Sequence, residues 1–307
     1  MRRVRTVVAA MAAGAVCSGA IVVTSAQHDA NELQGQIPGA GGIHWARDHA
    51  PARRGGGSPN LVYHGGPVMT GGAYVEPTFW GARWSDASFA GDKIGGIQAF
   101  YSGFGRSGYE AINTEYSDSS GLNVGSAVTF GSSHVDLSVA PRSGSKTTPI
   151  LAEVCRTATN LLPDGYYPVY VDTPRGHAGF CAWHSAGTCP NGVTVQFAFF
   201  FNLDGDPGCD PEDTSGTHSQ GLAALGNVSG HELSEALTDP HLNAWFDAGG
   251  QENADKCAWA FGTPLLTFSN RSKWKIQGNW SNEAFNAGTG YPNRSGQNGC
   301  LDGGNFR

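Results

Sequence analysis

The sequence predicts a single mixed-sheet α/β (or α+β) domain flanked by helices, on three observations. Val193 to Asn202 reads Val-Thr-Val-Gln-Phe-Ala-Phe-Phe-Phe-Asn, apolar enough for a central strand covered on both faces. Ser219 to Thr238 repeats Leu222, Leu225, Val228, Leu233 and Leu237 at roughly helical spacing. Strand-like and helix-like segments mix without strict alternation, as in a layered α/β or α+β domain.

Composition sets the class. Glycine is abundant (45 of 307 residues) and only 15% of residues are charged, which suits a loop-rich exported protein and not a helical bundle. A formal charge of −7 argues against nucleic acid or an anionic membrane as partner. Met1-Arg2-Arg3-Val4-Arg5 followed by the small, apolar stretch Thr6 to Val23 has the form of a signal peptide ending after Ala26. The expected destination is therefore extracellular, with no membrane attachment after cleavage. Gln27 to Asn60 lacks hydrophobic periodicity and reads as a flexible leader or propeptide, with Arg53-Arg54 a candidate processing point.

The folded domain is expected from Leu61 to Arg307. Leu61–Tyr63 and Ala73–Trp80 read as strands separated by glycine turns. Ile94, Ile97 and Tyr101 mark a helix to Phe104, and Ser126–Ser138 alternates as a strand or hairpin would. Pro149 suits the first turn of a helix running to about Leu162. Tyr167–Val171, Gly179–His184 and Val193–Asn202 follow as strands. Leu203–Thr217 is an Asp-, Gly- and Pro-rich loop whose Asp204, Asp206, Asp210 and Asp213 lack EF-hand spacing. Asp239-Pro240 ends the long helix, because a residue before proline avoids the α region. Leu265–Phe268 and Lys273–Trp280 are read as short strands and loops.

Of seven cysteines, Cys17 falls in the signal segment and six remain, an even set that favours disulfides in an exported chain. The short separation of Cys181 and Cys189 suggests a local bridge, with Cys257–Cys300 and Cys155–Cys209 completing the set.

Gly230 to His241 carries the chemistry. His231 and Glu235 are four apart and share a helix face, so both can point at one ion. Glu232, about 100° round the helix, can act as general base in this zincin-like variant of His-Glu-x-x-His. The competing reading is a solvated helix end. A catalytic zinc takes three protein ligands and water. His241, Asp239, Asp247, Glu252 and Asp255 could each take the third place; Asp255 or Glu252 fits better than His241, because Thr238 stands where peptidases with a histidine at that spacing have a turn glycine. One imidazole with two carboxylates makes Ca²⁺, Mn²⁺ or Fe²⁺ competitive with Zn²⁺. His184 is a candidate oxyanion stabiliser, set against a packing role near a disulfide. His64 either lines a cleft or caps a turn. No Gly-x-Ser-x-Gly or phosphate loop is present, and paired cysteines leave no thiol nucleophile.

Several segments resemble the plant EXORDIUM, or phosphate-induced protein 1, family. They are Tyr63-His64-Gly65-Gly66-Pro67, Phe79-Trp80-Gly81-Ala82-Arg83-Trp84, Gly179–His184, His231-Glu232-Leu233-Ser234-Glu235 through Asp239-Pro240, Glu252-Asn253-Ala254-Asp255-Lys256-Cys257, and Trp274-Lys275-Ile276-Gln277. The resemblance implies an extracellular, wall- or matrix-associated protein and shifts weight from His241 to Glu252 and Asp255. The expected function is a secreted metal-dependent hydrolase, with a peptide or a cell-wall or matrix substrate. The alternative is a non-catalytic extracellular or cell-wall-associated binding protein.

Overall fold

The computed structural model describes residues 42–49 and 58–307. The signal segment and the Arg53-Arg54 pair lie outside these residues. In chain order the elements are β1 (Ile43–Trp45), β2 (Val62–Tyr63), β3 (Ala73–Val75), β4 (Thr78–Trp80), α1 (Ala87–Ala90), α2 (Lys93–Phe104), β5 (Val128–Phe130), β6 (His134–Asp136) and α3 (Thr147–Thr157). They continue with β7 (Gly165–Pro174), β8 (Phe180–Thr188), β9 (Thr194–Asn202), α4 (Gln220–Thr238), β10 (Trp245–Phe246), β11 (Leu266–Thr267), β12 (Lys273–Trp274), β13 (Asn279–Trp280), α5 (Asn282–Ala287), β14 (Tyr291–Pro292) and β15 (Asn298–Leu301).

A large mixed sheet runs β1-β8-β9-β7, then β3 and β4 side by side on β7, then β5 and β6 outside them. β7 is parallel to β9, β3 and β4, whereas β8 is antiparallel to β9 and β1. β5 and β6 pair in parallel with β3 and β4 respectively, so Ser126–Ser138 is a broken edge strand and not a hairpin. β2 pairs with β10 in a small separate sheet.

The two-residue period of the strands sorts side chains between two helical layers. On one face, Gly187 of β8 lies under Leu151 of α3, and Trp183 stacks near Phe199. On the other face, Tyr170 of β7 reaches Ser229 of α4 through a 2.7 Å hydrogen bond and stacks on Phe200. His184 of β8 belongs to this second face. Its neighbour across β9 is Ala198, whose small side chain leaves space for an imidazole beneath α4.

Helix α4 is buried from Gly221 to Thr238. Its small residues permit this. A side chain at Gly226 would strike the Trp274 ring, and Gly96 of α2 lies directly against Leu222. Ser219 caps the N-terminus by accepting from the Leu222 N–H at 3.2 Å. At the other end Asp239 Oδ1 accepts the N–H groups of Asn243 and Ala244 at 2.6 and 2.7 Å, turning the chain out of the helix.

Three disulfides join Cys155–Cys189, Cys181–Cys209 and Cys257–Cys300. Only the last matches the expected pairing. Cys181 and Cys189 cannot bridge because the intervening chain is strand β8: eight residues at about 3.3 Å each separate them far beyond disulfide reach. The expected leader also needs correction in part. Within 27–60, Ile43–Trp45 forms a strand on β8, with Ile43 and His44 buried.

Candidate metal centre

Four segments meet beneath α4: strand β1, strand β8, the helix itself and the loop before Cys257. His184, His231, Glu232, Glu235, Glu252 and Asp255 all lie here, and all are buried. A solvated helix end is thereby excluded, since His231, Glu232 and Glu235 have no solvent exposure.

Glu235 is the hub. Its Oε1 lies 3.0 Å from His231 Nε2, and its Oε2 lies 3.5 Å from His184 Nε2. Glu252 Oε2 lies 3.3 Å from the same His184 nitrogen. Asp255 Oδ1 is 3.6 Å from His231 Nε2, and the Asp255 N–H donates to Glu235 Oε1 at 3.0 Å. Two groups of donors can therefore hold an ion: His184, Glu235 and Glu252, and His231, Glu232 and Glu235. Tetrahedral coordination with bonds of about 2.0–2.2 Å puts ligand atoms about 3.3–3.6 Å apart. The His184–Glu235 and His184–Glu252 separations match that edge length.

Buried polar atoms without hydrogen-bond partners concentrate at the same place. They include Glu232 Oε2, Glu235 Oε2, Glu252 Oε1, Asp239 Oδ2 and Nδ1 of both His44 and His184. Buried polar groups are normally paired, so this concentration marks donors directed at something other than protein.

The electrostatics agree. Burial, then repulsion by Glu235, pushes the carboxyl groups of Glu232 and Asp255 well up and that of Glu252 up to about 7. Burial and Glu252 raise Asp239 to about 8. Burial disfavours protonation of His184, but Glu252 and Glu235 outweigh it and the net shift is upward. His231 is pushed well down, by burial and by His184. The pocket holds an excess of acid that a cation would neutralise.

The loop bearing Glu252 and Asp255 is fixed by neutral contacts. Asn253 donates to Asn113 at 2.9 Å, Trp280 N–H donates to the Asn253 carbonyl at 2.9 Å, and Cys257 is tied to Cys300. Gln277 orients His231. Its Oε1 accepts from the Trp259 N–H at 3.1 Å and lies 2.9 Å from His44 Nε2. Its amide nitrogen donates to the Ala254 carbonyl and faces His231 Nδ1 at 2.8 Å. His231 Nδ1 is thus an acceptor, and its proton sits on Nε2, toward Glu235 and Asp255. His184 carries no such constraint, so its Nε2 is the freer ion donor.

His241 is exposed, beside Gln196, and takes no part. His64 stacks on Phe246, Asp247 pairs with Lys256, and Asp204 and Asp206 pair with Lys93 and Arg175. Sequence reading missed His44 and Gln277 as members of the site. Among the described residues no helix is long and apolar enough to cross a membrane, and three disulfides are compatible with an oxidising, extracellular environment. In comparisons with known proteins, the chain matches no family model, no curated protein and no solved structure.

Proposed function

We propose that the protein is a secreted metal-dependent hydrolase acting on peptide bonds, the reading its zincin-like helix supports. The observation that carries this reading is the convergence of His184, Glu235 and Glu252, with Glu235 and Glu252 each at ligand-edge distance from His184, beside Glu232. These three residues would hold the ion, with zinc expected and Mn²⁺, Fe²⁺ or Ca²⁺ competing for a donor set so rich in oxygen. When bound, such an ion supplies Lewis acidity toward a carbonyl and lowers the pKa of water.

Glu232 supplies the proton transfers. Its Oε1 accepts the His44 N–H at 3.3 Å and its Oε2 has no partner. As water adds to the scissile carbonyl carbon, Glu232 takes its proton. It returns that proton to the amine as the C–N bond breaks. His231 positions Glu235 from one side, and Asp255 N–H does so from the other. His184 moves in this reading from oxyanion stabiliser to ion donor.

One observation favours a second reading. Every donor is enclosed, as in structural metal sites, which are closed. An ion with that role would fit a non-catalytic extracellular or cell-wall-associated binding protein. Hydrolysis of a peptide library with and without chelator separates the two. Chelator-sensitive cleavage that Glu232→Gln abolishes supports the hydrolase. Equal cleavage by Glu232→Gln and wild type removes the proposed base.

A further inference from the structure

The site is covered by the chain's own N-terminal strand. β1 is three residues long, and among the described residues its one neighbour in the sheet is β8. It pairs antiparallel, Ile43 opposite Trp183 and His44 opposite Ala182, and the His184 N–H donates to the Gly42 carbonyl at 2.9 Å. Main-chain pairing of this kind accepts many sequences, because it reads backbone and not side chains.

Two backbone N–H groups of this segment engage the acids of the site. That of His44 donates to Glu232 Oε1 at 3.3 Å, and that of Gly42 to the Glu252 carboxylate. The proposed base and a proposed ion donor are therefore both occupied by one stretch of extended backbone. Gly42 comes so close that a Cβ there would sit 3.2 Å from His184 Nε2 and 3.1 Å from the His184 carbonyl. The His44 ring stands edge-on to His231, with centroids 4.1 Å apart, yet its Nδ1 is buried without a partner. A settled core residue would normally have that atom satisfied.

We propose that the groove between β8 and the carboxylates of Glu232 and Glu252 binds a polypeptide in extended conformation, and that Gly42–Trp45 is the chain's own occupant of it. The site is then closed in the full chain and opens when this segment is withdrawn. The inference rests on the hydrolase reading for the fate of the bound peptide, but not for the binding itself. What retains the occupant lies just beyond it. Ala46 N–H donates to the Gly179 carbonyl at 3.0 Å, Arg47 N–H donates to the Gly208 carbonyl at 2.9 Å, and the Arg47 guanidinium lies 4.8 Å from the Trp259 ring centre.

The test inserts a recognition sequence for a specific protease between His49 and Ser58 of the full chain. The cut protein is freed of its N-terminal fragment under mild urea and returned to buffer. The probe is a fluorescein-labelled peptide, Gly-Ile-His-Trp-Ala-Arg-Asp-His, followed by anisotropy. The uncut chain should not bind it, and the freed protein should bind it saturably. Amide exchange in β8 should rise at least tenfold on release and fall again with peptide. A second variant, Ile43→Asp in the uncut chain, should give the same β8 exchange and partial peptide binding, with the cooperative unfolding transition retained. Global unfolding on fragment removal together with an Ile43→Asp variant that unfolds would make β1 an integral strand and overturn the proposal. So would a folded, freed protein that fails to bind the peptide. Peptide binding without any cleavage would keep the groove and sink the hydrolase. Chelator-sensitive cleavage by the uncut chain, unaffected by excess probe peptide, would do the reverse.

Discussion

His184, on strand β8, faces Glu235, on helix α4, with 3.5 Å between Nε2 and Oε2, and neither side chain reaches solvent. The pair joins the sheet to the helix at the point where the acidic side chains gather. The other oxygen of Glu235 is engaged by His231 and by the Asp255 N–H, so one carboxylate organises both sides of the site.

Glu232→Gln should keep the ion and lose the reaction. The amide is nearly isosteric and still accepts the His44 N–H, but it cannot take a proton. In the chain freed of its Gly42–Trp45 segment, peptide hydrolysis should fall by about 10²–10⁴-fold, the usual contribution of a general base. Metal content measured on the same sample should be unchanged.

Gln277→Leu tests the orientation of His231. The substitution leaves the Trp259 N–H, the Ala254 carbonyl and His231 Nδ1 without their buried partner. Unsatisfied buried groups cost about 1–3 kcal/mol each, so a loss of about 3 kcal/mol or more is expected in urea unfolding. Zinc affinity should also weaken, by about 10–100-fold, if His231 aligns Glu235 as described. A merely structural glutamine would leave that affinity unmoved.

Glu110 gives the chain a pH dependence independent of the site. It is buried, neither carboxylate oxygen has a partner, and burial pushes its pKa up to about 8. Unfolded, it titrates near 4.3. Between these values the folded chain keeps a proton that the unfolded chain releases, so stability falls as pH rises through that window and levels off above it. The loss amounts to something on the order of 5 kcal/mol. Glu110→Gln should flatten this part of the stability profile measured by urea unfolding between pH 4.5 and 8.5. Parallel profiles for the two proteins would show that Glu110 is not the cause.

Much of the frame was legible in the sequence because period and punctuation are local. The ten-residue apolar run became β9, the leucine repeat became α4, and Asp239-Pro240 ended it. The His-Glu-x-x-Glu spacing did place His231, Glu232 and Glu235 together, and Glu252 and Asp255 did return to them. The rest depended on contacts that no local pattern encodes. Gln277 is an uncharged amide in a short connection, with nothing to distinguish it from a surface residue. His44 sits in a glycine-rich stretch whose strand exists because β8 offers an edge. The disulfides were misassigned because short sequence separation was taken for proximity, whereas an extended strand holds Cys181 and Cys189 apart. The site's complete burial was also invisible, since it takes in segments far apart in the chain, such as His44 and Glu232, about 190 positions apart.

Metal analysis of the purified full-length protein tests the central claim most directly. Protein prepared without chelator, or dialysed against zinc and then buffer, should retain about one equivalent of divalent ion at neutral pH. Retention should weaken as pH falls, because protons compete for the same donors. His184→Ala and Glu235→Gln should each abolish retention while His241→Ala leaves it intact. Absence of any stoichiometric ion after zinc loading, or retention undiminished in both His184→Ala and Glu235→Gln, would contradict the account.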